Sequence, residues 1–206
     1  VRPARAVLWD IGRVLADWDP LRLYTKLLPD DAAADAFLGG VCTMAWHLAH
    51  DRGVPMAENR KALIAAHPDK AGLIRAWDTR WPEMFDGWVE GMEQLVLELE
   101  SARIPQYALT NMPAEKIDYI RAAYPPVARF LDVIVSGEEG VIKPDPAIYE
   151  ITVQRIGFAP QETVFLDDSP PNVEAARRFG FQAEIFESAA QARAALRERG
   201  LPVSLS

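Results

Sequence analysis

The chain has 206 residues, half of them apolar, which suffices for one sizeable core or for a core with a smaller inserted domain. Its formal charge of -8 argues against a nucleic-acid or anionic-membrane surface, because the field of the whole molecule repels a polyanion; an anionic substrate would need local cations or a metal. Cys42 is the one cysteine, so no intrachain disulfide is possible, and with neither an apolar run of about 18 residues nor a basic-then-apolar leader a cytoplasmic location is expected.

In chain order, Ala6 to Trp9 is an apolar run of strand length that ends in Asp10-Ile11-Gly12, which suits a buried strand opening into a loop. From about Asp17 to Trp88 the spacing turns helical, broken at Pro29, Gly39-Gly40, Gly53-Val54-Pro55 and His67-Pro68, and no strand is expected there. This predicts an all-helical insert over 17–88, with 1–16 and 89–206 forming the main domain. After Gly91 helices and strands alternate: a helix to about Ala102, a strand Gln106 to Leu109, a helix near Ala114 to Ala123, and a strand Asp132 to Val135. A helix from Pro146 to about Ile156, a strand Thr163 to Leu166, a helix Asn172 to Phe179, a strand Gln182 to Ile185 and a last helix to about Arg199 follow. The fold class is therefore α/β, a doubly wound parallel sheet, and ligands of such sheets bind beyond the carboxyl ends of the strands. Asp10, Thr110 and the Asp167-Asp168 pair all fall at strand ends in this reading.

An aspartate can attack phosphorus only if its own charge and that of the substrate are offset. Asp10, Asp167 and Asp168 supply hard oxygen ligands suited to Mg²⁺, and such a cluster without a cation would be costly. Lys143, just before Pro144, can neutralise a phosphoryl oxygen, and Thr110 can donate a hydroxyl hydrogen bond to the same oxygens.

These pieces resemble the haloacid dehalogenase superfamily, with a helical cap inserted after the first motif. Asp10-Ile11-Gly12-Arg13-Val14-Leu15 is similar to its first motif, Thr110-Asn111 to its second, Lys143-Pro144-Asp145-Pro146 to its third, and Asp167-Asp168 with Asn172 to its fourth. The resemblance implies a Rossmann-like core, a mobile cap, Asp10 as nucleophile, and Mg²⁺ held by Asp10, the Gly12 carbonyl, Asp167 and Asp168. Asp10, Lys143 and Thr110 would be catalytic, and Thr110, Asn111 and Lys143 would bind a small phosphorylated metabolite. Gly12 departs from the pattern of most phosphatases of this superfamily, which carry a general acid-base aspartate at that position. Such help is worth about 10²- to 10⁴-fold, and Asp17, Asp19 or His47 are candidate substitutes. Arg13 is unusual as well, since a small residue is common there.

The expected activity is Mg²⁺-dependent hydrolysis of a small phosphate monoester through an aspartyl-phosphate. The alternatives are a metal-independent 2-haloacid dehalogenase, which also lacks the second aspartate but has small polar residues in place of the acidic pair, and a weakly active phospho-ligand-binding member. His47, His50 and Asp51 read as a polar helix face rather than as metal ligands. Trp18, Trp46, Trp77, Trp81 and Trp88 are expected in the insert's small core or its packing on the main domain. Glu138-Glu139 is expected as an exposed turn, Arg193, Arg197 and Arg199 as a solvated helix face, and Asn172 either caps its helix or orients a metal ligand.

Overall fold

The computed structural model describes residues 2–204. Five parallel strands form one sheet in the order β5-β4-β1-β6-β7. They are β1 Ala6–Trp9, β4 Gln106–Thr110, β5 Asp132–Val135, β6 Thr163–Asp167 and β7 Gln182–Ile185. β1 lies centrally, in register with β4 from Val7 opposite Gln106 and with β6 from Ala6 opposite Thr163. The chain fills one side of β1 with β4 and β5, then crosses to add β6 and β7. That reversal opens a crevice beyond the carboxyl ends of β1, β4 and β6, where a doubly wound sheet binds its ligand.

Strand alternation divides the buried side chains between two layers. Val7, Trp9, Ala108, Val133, Val164 and Leu166 face helices α6 Met92–Ser101, α7 Ile117–Ala123 and α11 Ala189–Glu198. Leu8, Leu109, Ile134, Phe165 and Ala183 face α9 Pro146–Ile156 and α10 Pro170–Phe179. Trp9 carries a polar atom into this core and is satisfied there: its indole nitrogen donates to Gln106 at 3.0 Å, and Gln106 donates on to the Val96 carbonyl at 3.0 Å. Helix α9 has the punctuation its sequence predicts. Asp145 caps it by accepting from Ala147 N at 2.9 Å, Pro146 opens it, and Gly157 ends it at φ +69°, a conformation costly for a side chain with Cβ.

The inserted region holds α1 Leu21–Tyr24, α2 Asp31–Gly40, α3 Met44–Asp51, α4 Met56–Ala66 and α5 Ala71–Thr79, around a separate apolar cluster that includes Tyr24, Phe37, Met56, Ile74, Trp77 and Trp81. The expectation of no strand in this stretch is corrected. β2 Ala16–Trp18 pairs antiparallel with β3 Phe85–Trp88, forming a ribbon that gathers the chain where it enters and leaves the helices. Both strands are too short to display alternation, and Asp86-Gly87 within β3 reads locally as a turn. Trp88 on that ribbon packs against Tyr124 rather than joining the other tryptophans, ring centroids 5.2 Å apart.

Other surface expectations also change. Glu138 and Glu139 lie in a four-residue helix, α8 Ser136–Glu139, with Glu139 paired to Arg155. Arg193 and Arg199 are largely covered and paired with Glu98 and Glu184, while Arg197 is exposed. No helix among the described residues is long and apolar enough to cross a membrane.

Candidate active site

Asp10 follows the last residue of β1 and is 8 % exposed. Its Oδ1 accepts from the main-chain N–H of Ile11 at 2.7 Å and lies 2.9 Å from Lys143 Nζ. The Lys143 side chain reaches back under the sheet edge, where its ammonium also donates to Asp167 Oδ2 at 2.7 Å and to the Leu109 carbonyl at 2.9 Å. Three acceptors thus meet its three hydrogens. Burial works to lower the basicity of Lys143, but Asp10 and Asp167 outweigh it and hold the group protonated, above the usual lysine range.

Asp167 ends β6 with no exposure. Besides Lys143 it accepts from Ser169 N at 2.8 Å on Oδ1 and from Asn172 Nδ2 at 3.1 Å to each oxygen. Ser169, not Asn172, stands at the cap position of α10, and Asn172 orients a site carboxylate. Asp168, the next residue, is half-buried, and ligand atoms of Asp10, Asp167 and Asp168 lie within 4.8 Å of one another. Burial, then Asp167, raises the Asp168 carboxyl, while the Arg13 guanidinium lowers it. Asp10 is pushed up to about 7, by burial first and by Asp167 and Asp168 in addition, against the lowering effect of Lys143. One ammonium does not balance three clustered carboxylates. A hard divalent cation fits this donor set, and magnesium takes carboxylate oxygens at such sites.

Asn111 was expected to contact substrate, and it does line the cleft. Its amide, however, is engaged with the Lys143 main chain: Nδ2 donates to the carbonyl at 3.0 Å and Oδ1 accepts from the N–H at 2.8 Å. The side chain therefore fixes the loop that delivers Lys143, whose peptide bond to Pro144 is cis. Thr110 closes β4, is buried, and lines a small cavity of about 50 Å³ with Gly12, Trp18, Trp81, Phe85, Met112 and others. Arg13 adopts φ +61°, rare for a residue with Cβ, and its guanidinium lies 5.9 Å from the Trp18 ring centroid at the cleft mouth. Gly12 is held by neither crowding nor a left-handed backbone, since a Cβ there would meet nothing within 4 Å.

The principal cleft, about 540 Å³, lies between the sheet edge and the inserted helices, and Asp10, Gly12, Arg13, Lys143 and Asp168 face His47, Asp51 and Arg52 across it. Here the reading of His47, His50 and Asp51 as a polar helix face is corrected. All three are at most 3 % exposed; Trp18, Trp77 and Trp81 close around the His47 ring, and Trp46 packs edge-on against His50. Asn59 Nδ2 donates to the Trp46 carbonyl at 3.0 Å and lies 2.9 Å from His50 Nε2, which therefore accepts. The His50 proton then sits on Nδ1, 3.2 Å from His47 Nδ1, leaving the His47 proton on Nε2, which faces Asp51 Oδ1 at 3.4 Å without the alignment of a hydrogen bond. Burial, then His50, lowers His47 to about 3; burial first, with Lys116 adding to it against Asp78, lowers His50 to about 4. Both rings are thus neutral at neutral pH.

Asp51 Oδ1 is buried without a hydrogen-bond partner. Burial pushes its carboxyl up to about 7, opposed by Lys143 and Arg52. A folded-state value above the unfolded one gives stability that is full below the unfolded value and lost as pH rises through the folded one, here between about 4 and about 7. Asp51→Asn is accordingly expected to exceed the parent at pH 8 by on the order of 4 kcal/mol, a gap that closes toward pH 4. Urea unfolding at the two pH values checks it. The spacing of His47 and Asp51 was legible as one helix face, but nothing in that helix revealed its burial.

A strand-end carboxylate backed by a buried lysine, with an acidic pair on the neighbouring strand and a helical insert over the crevice, marks a Rossmann-like hydrolase fold whose candidate site lies at the switch point of its sheet. A model of the haloacid dehalogenase-like hydrolases matches residues 11–180, and the chain belongs to that family. It is 34 % identical over 186 residues to the sesquiterpene phosphatase astK of Aspergillus oryzae, covering 85 % of this chain and 86 % of that one. Among solved structures, the HAD family enzyme bt-2542 of Bacteroides thetaiotaomicron superposes with TM-score 0.72 at 22 % identity, over 91 % of this chain and 95 % of that one. The L-2-haloacid dehalogenase of Xanthobacter autotrophicus superposes with TM-score 0.64 at 18 % identity, over 93 % and 82 %. At these identities the two structural likenesses speak to fold.

Proposed function

We propose that this hydrolase is a Mg²⁺-dependent phosphatase of a small phosphate monoester and works through an aspartyl-phosphate on Asp10. The observation that carries the reading is the charge of the site: Asp10 and Asp167 share one ammonium, and Asp168 adds a third carboxylate within 4.8 Å of both, an arrangement that disfavours a metal-free nucleophile and favours a cation. Asp10, Asp168 and the Gly12 carbonyl would hold the ion directly. Asp167, whose oxygens already receive Lys143, Ser169 and Asn172, would support from behind. Magnesium, when bound, supplies positive charge against the phosphoryl oxygens and the attacking carboxylate. Lys143 holds Asp10 in place and adds a fixed cation beside it, and Thr110 offers a hydroxyl at the adjoining strand end.

Residues 17–88 would act as the cap, closing over the leaving group and excluding water. The tryptophans and phenylalanine lining the small cavity next to Thr110, together with the likeness to a sesquiterpene phosphatase, favour an ester with an apolar body. The test is phosphate release from a panel containing an alkyl or prenyl monophosphate, a sugar phosphate and a nucleotide, with Mg²⁺ and with EDTA. Release that requires the ion, and is fastest on the apolar ester, is expected. Halide release from a 2-haloacid in EDTA would establish the dehalogenase instead, and tight phosphate-ester binding without turnover would mark a binding member.

A further inference from the structure

Gly12 leaves this site without an acid-base group on the core side, and the other candidates near it are spoken for. Asp17 pairs with Arg22 at 2.7 Å, and Asp19 accepts from Leu21 N at 2.9 Å; neither lines the cleft. His47 lines it but is too weakly basic to carry a second proton near neutrality.

We propose that Asp51, at the carboxyl end of α3, is the general acid and base of this active site, delivered from the inserted helices rather than from the core. Its side chain is 5 % exposed and lines the same cleft as Asp10, Gly12, Lys143 and Asp168, while its buried Oδ1, 3.4 Å from His47 Nε2, has no hydrogen-bond partner. A buried carboxyl left unsatisfied is rare in a folded chain, and one that faces a reacting centre is poised to exchange its proton there. Its position in the last turn of a helix favours the protonated form further, because the helix dipole places negative charge at that end. The proposal rests on the phosphatase reading and supplies the step that Gly12 leaves open.

The chemistry balances without any other reactant. The Asp10 carboxylate forms a bond to phosphorus, the bond from phosphorus to the ester oxygen breaks with its electron pair staying on that oxygen, and the Asp51 carboxyl protonates it as the alcohol leaves. Water then attacks phosphorus and gives a proton to the Asp51 carboxylate, and the phosphorus bond to Asp10 breaks. Phosphate departs, with Asp10 ionised and Asp51 protonated again.

The charged groups around Asp51 set its titration. On its own helix and just beyond are His47, His50 and Arg52, and across the cleft are Lys143, Asp10, Asp168 and Arg13. On α8, which packs against α3, Glu138 is exposed and Glu139 is paired with Arg155; on α4, Arg60 is paired with Asp78, and Glu58 and Lys61 are exposed.

The experiment compares hexyl phosphate, whose alkoxide must be protonated to leave, with p-nitrophenyl phosphate, whose phenolate departs as the anion. Both are run in Mg²⁺ under single-turnover and burst conditions. Asp51→Asn is expected to slow hexyl phosphate cleavage by on the order of 10²- to 10⁴-fold while retaining a stoichiometric nitrophenolate burst, which also shows that the variant is folded. Its later turnover should be slow because the base for water is gone. In the parent enzyme, hexyl phosphate cleavage should fall above about pH 7 while the nitrophenolate burst does not. Equal losses on both esters, near-parental hexyl phosphate cleavage, or one shared alkaline limb would overturn the assignment. Absence of phosphate release by the parent enzyme from either ester would instead overturn the phosphatase reading, and this proposal with it.

Discussion

Asp10→Asn is expected to remove turnover, by at least about 10⁴-fold, the scale on which an enzyme suffers from losing its covalent nucleophile, while leaving the fold intact. The amide oxygen of asparagine can take over both contacts now made by Asp10 Oδ1, the Ile11 N–H at 2.7 Å and Lys143 at 2.9 Å. Its amide N–H₂ can turn toward the neighbouring carboxylates of Asp167 and Asp168, which accept. The variant thus loses nucleophilicity without losing hydrogen bonds. Phosphate release and urea unfolding measured together check it: inactive protein whose midpoint is no lower than the parent's is the expected result, because burial already disfavours the Asp10 charge. Residual turnover above one part in a hundred would mean that water attacks phosphorus directly and that Asp10 serves only to position it.

The reach of sequence reasoning differs between the sheet and the cleft for a physical reason. Ala6–Trp9 and Asp132–Val135 appear as strands where they were expected, because buried parallel strands are short apolar runs bounded by turn residues, and the more polar edge strand Gln182–Ile185 appears where the alternation of helices and strands placed it. A strand end is also a place that sequence can locate, so Asp10, Thr110, Asp167 and Asp168 could be assigned to one sheet edge before any contact was known. β2 and β3 escaped because pairing across a long insert, not local pattern, makes them strands. Asn111 escaped in part because the main chain it holds lies 32 residues away, and such a partner leaves no mark on the residues around Asn111. Asp51 escaped most fully. Polar residues at helical spacing ordinarily face water, and here tryptophans from elsewhere in the insert cover His47 and seal that face.

Lys143→Met is expected to cost both stability and activity, and more of each than any surface substitution. Lys143 is 2 % exposed, and its ammonium answers Asp10, Asp167 and the Leu109 carbonyl at once. Methionine is one atom shorter than lysine, equally unbranched, and can lie along the Phe165 ring that the ammonium now faces, so packing is largely kept. What is lost is the cation between two buried carboxylates, and removing one member of a buried charge cluster typically costs about 3 to 5 kcal/mol. Lys143→Arg should not restore the parent, because a planar guanidinium is bulkier and cannot direct three hydrogens to acceptors arranged around a point charge. Urea midpoints for the two variants, with phosphate release alongside, test the argument. A Lys143→Met protein as stable as the parent would show that the buried cation contributes little to folding and that Lys143 is needed for chemistry alone.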